Sequence, residues 1–107
     1  MERMVDLITL QRDGAAVVLV MAEHSEWTSD MKRLERIQAR FNDYLSFALD
    51  GEFRRRFPEY AAKPIRIRID CTSAPDPVSL RFLERLADIG MQNGVETTVE
   101  ICQSPLA

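Results

Sequence analysis

Residues 64–71 read Pro-Ile-Arg-Ile-Arg-Ile-Asp-Cys, and from Ile65 onward apolar and charged side chains alternate without exception. Only an extended strand puts every second side chain on one face. A helix would scatter the three isoleucines around its circumference. The segment is therefore a strand with Ile65, Ile67, Ile69 and Cys71 turned to a core and Arg66, Arg68 and Asp70 turned away from it. A strand buried on one face needs a covering layer on that face. In a chain of 107 residues, enough for one domain and too short for two, the rest of the sequence has to supply it.

It does so in a regular order. Residues 5–11 and 15–22 are rich in aliphatic and β-branched side chains and flank Asp13-Gly14, a tight-turn signal, so they form a hairpin. The second of these strands is apolar on both faces and should be central. Residues 31–49 carry Leu34, Ile37, Phe41, Tyr44, Leu45 and Ala48 at spacings of three and four, the stripe of an amphipathic helix. Thr28, Ser29 or Asp30 can cap its start, and Gly51 stops it. Lys32, Arg33, Glu35, Arg36, Arg40 and Asp43 fall mostly off the stripe and should face water. Residues 52–63 connect, with some helical turn, pinned by Phe53 and Phe57. Asp76-Pro77 opens a second long helix over residues 77–92, with Leu80, Leu83, Leu86, Ala87 and Gly90 inward and Asn93-Gly94 at its end. Residues 95–101 form the last strand, and 102–107 read as a flexible tail of the single domain 1–107.

The order β-β-α-β-α-β implies two right-handed parallel crossovers. The expected fold is an α/β, two-layer α+β sandwich: a four-stranded mixed sheet in the order 1-2-3-4 with two helices on one face. Arg66 and Arg68 then meet Glu96 and Glu100 across the open face, while the hairpin half of that face should show aliphatic side chains. A half-apolar open face is a candidate homodimer interface.

Composition excludes several classes. A net charge of −3 from 14 basic and 17 acidic residues is a poor match to nucleic-acid binding, which needs a basic face. The longest apolar run, residues 15–22, is far short of the ~20 residues of a membrane helix, and the charged N-terminus is no secretory signal. The expectation is a soluble, cytoplasmic protein. Cys71 and Cys102 have neither metal-ligand spacing nor a common face, so they should be reduced and unlinked. No residue pattern calls for a metal or a cofactor.

Ligands of parallel sheets gather at the carboxyl ends of strands. That edge collects His24, Glu26 and Trp27 after the second strand with Asp70 and Thr72 at the end of the third, a candidate binding edge. A histidine near Ser73 or Cys71 is the minimum for nucleophilic chemistry. No second histidine, glycine-rich phosphate loop or nucleophile elbow accompanies it, so no catalytic residue is assigned. Arg54, Arg55 and Arg56 form the one dense basic patch, and Arg33, Arg36 and Arg40 on the first helix would enlarge it if the faces converge.

Val5-Asp6, His24-x-Glu26-Trp27, Gln38, Asn42, Tyr44, Phe47, Gly51-Glu52, Pro58 and the third strand together resemble a small family of bacterial domains of unknown function. That likeness spans most of the chain and implies no reaction. The order of elements also resembles the STAS domains of anti-sigma-factor antagonists, in which Asp-Ser-Ser-Gly-Leu opens the second helix. Here the stretch is Asp76-Pro77-Val78-Ser79-Leu80, with Pro77 at the first serine position and Ser79 at the glycine. The topology is implied; the phosphoserine switch is not. The function expected is a non-catalytic protein-interaction or regulatory module, a homodimer with a possible further protein partner and with neither nucleic acid nor membrane. The alternative is a small enzyme or ligand binder at the edge around His24, Glu26, Trp27 and Asp70.

Overall fold

A computed structural model describes residues 7–23 and 30–101. It contains β1 (Leu7–Leu10), β2 (Val17–Glu23), α1 (Met31–Leu49), α2 (Glu52–Arg56), a 3₁₀ turn (Pro58–Tyr60), β3 (Ile65–Cys71), α3 (Pro77–Gln92) and β4 (Thr97–Ile101). The strands form one sheet in the order β1-β2-β3-β4, antiparallel between β1 and β2 and parallel thereafter. This is the expected α+β sandwich, with the connector contributing a third, five-residue helix.

The strands of the hairpin are joined by a longer loop than Asp-Gly alone suggests. Gln11 N–H donates to the Ala16 carbonyl at 2.8 Å. Inside the loop Asp13 Oδ1 accepts from Ala15 N–H at 2.9 Å, and Gly14 takes φ +71°, a conformation that favours glycine. The β1–β2 register pairs Ile8 with Leu19 and Thr9 with Val18. Ile8 therefore joins the core side and Thr9 the open side.

The helices cover the odd-numbered face of β2 and β3. Val17, Leu19, Met21, Ile65, Ile67, Ile69 and Cys71 cluster there with Ile37, Phe41, Leu45, Leu83 and Leu86. All six predicted stripe residues of α1 are buried. Asp30 provides the cap, accepting from Lys32 N–H at 3.0 Å. Tyr44, fully buried, donates its hydroxyl to the Val20 carbonyl at 3.1 Å, which satisfies a polar tip inside the core. Phe53 is buried and packs edge-to-face with Phe47 and tilted against Phe57, at centroid distances of 5.9 and 5.2 Å, so the connector is pinned as expected.

α3 is rotated relative to the sequence expectation. Ser79, Leu83, Leu86 and Gly90 face inward, and Leu80 is exposed. The cause is close packing on β4. A Cβ at Gly90 would stand 2.1 Å from Thr97 Oγ1 and 2.9 Å from the Val95 carbonyl oxygen. Only glycine lets the helix come this near, and Val95 N–H seals the contact by donating to the Gly90 carbonyl at 2.8 Å.

The open face bears the expected ladder: Arg66 lies 3.1 Å from Glu96, and Arg68 lies 2.8 Å from Asp70 and 3.9 Å from Glu100. Its apolar half is not open. Val18 and Val20 retain only 9% and 4% of their surface. Arg66 reaches across β2 to hydrogen-bond Gln11 beyond the end of β1, so its aliphatic stem lies over Val18.

Candidate functional site

Because β2 and β3 are parallel, Glu23 and Cys71 stand side by side at one edge of the sheet. Of the binding edge read from the sequence, His24, Glu26 and Trp27 lie outside the described residues. Asp70 points to the open face, where Arg68 grips both its oxygens, Nε to Oδ1 at 2.8 Å and Nη2 to Oδ2 at 3.1 Å. A carboxylate held in this bidentate way is fixed in position and charge-compensated. Thr72 prolongs the ladder: its N–H and its hydroxyl both donate to the Glu23 carbonyl, at 3.1 and 3.2 Å. Cys71 is buried among apolar side chains.

The same edge holds an ionic cluster that the sequence reading missed. Glu23 continues the inward series Val17, Leu19, Met21 and turns under α1, where it is nearly buried. Arg40 Nη1 donates to its Oε1 at 2.6 Å and to the Ala22 carbonyl at 3.2 Å. Arg33 Nη2 lies 3.8 Å from the other oxygen, and the side chains of Arg33 and Glu23 are each only 11% exposed. Arg36 and Ile37 complete a cavity of about 260 Å³. Arg33 thus does not face water as expected, and Arg40 does so only in part. They flank the apolar stripe of α1 and clamp its N-terminal half to the end of β2. The signal is present in the sequence: the period-two pattern runs on to residue 23, and residues 33, 36 and 40 are spaced three and four apart.

The basic run does not join this cluster. Arg54 donates to the carbonyls of Ala61 and Ala48 at 2.9 and 3.3 Å, and Arg55 to that of Asp50 at 3.4 Å. Arg56 pairs with Glu52 at 3.2 Å and covers the Phe47 ring. Arg54 and Arg55 thus satisfy carbonyls at the end of α1, which lack helical partners. Ala48 is eight residues beyond Arg40, about 12 Å further along the axis.

A different kind of surface lies on the helix layer. Met31 and Leu34 of α1 and Val78, Arg81, Phe82 and Arg85 of α3 line a groove of about 440 Å³. Met31 is 66% and Val78 48% exposed. Arg81 donates to the Pro77 carbonyl at 3.4 Å, and among the described residues neither it nor Arg85 has a carboxylate partner. Among the described residues no group of three His, Cys, Asp or Glu side chains could hold a metal ion, and no helix is long and apolar enough to cross a membrane.

Comparison with known proteins agrees with the likeness read from the sequence. Residues 1–103 match the model of a family of unknown function, DUF6572. No curated protein and no solved structure matches the chain, and the STAS-like resemblance rests on the order of elements alone.

Proposed function

The chain belongs to the DUF6572 family, whose function is unknown, and we propose that it is a non-catalytic protein-interaction module that docks its partner on the helix layer. One observation carries this: exposed Met31 and Val78 stand beside Arg81 and Arg85, two arginines without a carboxylate partner among the described residues. Arginine, methionine and aromatic side chains are the types enriched where proteins meet. The open sheet face, where the sequence reading puts pairing with a second copy, has less support. Its valines are buried and its arginines are held by carboxylates of the same chain. An enzyme at the carboxyl edge also has less support, because Asp70 is held on both oxygens and Cys71 is buried.

The test is site-specific photo-crosslinking in the source cell, with the reactive residue at Val78 in one variant and at Thr98 on the open face in another. The expected result is an adduct from Val78 to one protein, which then forms a stoichiometric complex with the purified chain. Adducts from Thr98 alone, or from neither position, overturn the proposal.

A further inference from the structure

α1 and α3 both run back along the sheet between parallel strands, so they lie side by side in the same direction with a furrow between them. One flank of each helix borders it. On α3 this flank carries Val78, Phe82, Arg85 and Ile89, at spacings of four, three and four. On α1 it carries Met31, Leu34, Leu45 and Leu49. The groove of Met31, Leu34, Val78 and Phe82 occupies the end where both helices begin. Towards the other end Leu45, Ser46, Leu49 and Asp50 border a second cavity of about 510 Å³, and Leu49 and Ile89 are exposed there. Met31 and Leu49 stand about 27 Å apart along α1, so the furrow is about five turns long.

Its charge is one-sided at the first end. The outward ridge of α3 carries Arg81, Glu84, Arg85 and Asp88, all exposed and none with an ionic partner among the described residues. At about 100° of turn per residue, Glu84 falls on the far flank and Asp88 on the crest. Neither lines the groove, whose charged lining is two guanidiniums one turn apart and no carboxylate. An apolar floor beside two such cations suits apolar side chains with carboxylates next to them. The walls select the conformation. An extended segment laid on them would leave backbone N–H and C=O groups without partners, whereas a helix satisfies its own. Arg81 and Arg85 are about 6 Å apart along the axis, the rise between carboxylates three or four residues apart on a facing helix. We infer that the partner presents an acidic amphipathic helix to this furrow. Its apolar stripe seats between α1 and α3, and two carboxylates one turn apart pair with Arg81 and Arg85. The inference rests on the helix layer being the docking surface and gives the occupant its chemistry.

The test selects peptides by display on the whole chain, from a library of amphipathic helices long enough to span the furrow and randomised beside the apolar stripe. Enriched peptides are then measured singly by fluorescence anisotropy. They are expected to carry acidic residues three or four apart next to the stripe. Arg81→Gln with Arg85→Gln should weaken their binding at least about tenfold, and Arg12→Gln, on the hairpin loop, should leave it within about twofold. Peptides remade with lysine for the acidic pair should lose the wild type and regain binding to the chain carrying Arg81→Glu and Arg85→Glu. All positions changed are exposed, and circular dichroism on each variant checks that the fold is kept. A basic or uncharged consensus, no enriched peptide, or binding indifferent to Arg81 and Arg85 each overturns the inference. Any of these alongside a Val78 adduct to one protein overturns the acidic helix while the docking proposal stands. Without that adduct both fall.

Discussion

On the open face of the sheet, Arg66 and Arg68 are each held by carboxylates of the same chain. On the outward ridge of α3, four charged side chains of both signs have no ionic partner among the described residues. The difference follows from backbone geometry. Neighbouring strands place side chains opposite one another at about 5 Å, so alternating arginines on β3 meet the glutamates around β4 with little cost in side-chain order. A helix offers only neighbours three and four residues away, and in α3 those are like charges or opposite charges in the poorer orientation. Charges on the sheet thus stabilise the monomer, whereas those on the ridge form no ion pair within it among the described residues.

Substitutions can break this comparison, and the largest effect belongs to the inner side of α3. Gly90→Ala drives a methyl into Thr97 and the Val95 carbonyl and should lower stability by about 3 kcal/mol in chemical denaturation, since overpacking a tight contact costs about 1–3 kcal/mol or more. If it is neutral, the helix is not seated as described. Glu23→Ala comes next. It removes the carboxylate shared by Arg33, which is nearly buried, and Arg40, which is about a third exposed. Breaking a fully buried pair costs about 3–5 kcal/mol, and partial solvation reduces this to about 2 kcal/mol. A denaturation midpoint unmoved by this change would show that the clamp contributes nothing. The smallest effect sharpens the contrast itself. Arg66→Ala uncovers Val18 and removes the Glu96 pair, for about 1 kcal/mol, while Arg85→Ala should stay within about 0.5 kcal/mol of the wild type. Equal losses at the two positions would remove the distinction drawn between the two faces.

Much of the fold is legible in the sequence because its patterns are local. The α1 stripe, the alternation of β3, the Asp76-Pro77 start of α3 and the Arg–Glu ladder all appear where side-chain spacing puts them. The candidate site is less legible. Of the edge named from sequence, Asp70 is engaged on the open face, Thr72 is tied to β2, and His24, Glu26 and Trp27 lie outside the described residues. Glu23 reads as the start of a polar loop, although the inward alternation of β2 already reaches it. The run Arg54-Arg55-Arg56 reads as a patch because adjacency in sequence resembles adjacency in space. In the structure each guanidinium serves a nearby carbonyl, carboxylate or ring.

What the sequence determined by itself was which residues alternate, which recur every three or four, and hence the strands, the two long helices and their order. Those properties depend on the backbone period of each element and on no neighbour. The tertiary structure alone decided how far α3 turns about its axis, which put Ser79 inside and Leu80 outside. It also decided which arginines find a carboxylate: Arg40 meets Glu23 across 17 residues of chain, and Arg81 and Arg85 meet none among the described residues. Rotation and pairing of this kind are set by contacts between elements, here a glycine pressed on a threonine and a strand end lying beneath a helix, and no local period encodes them.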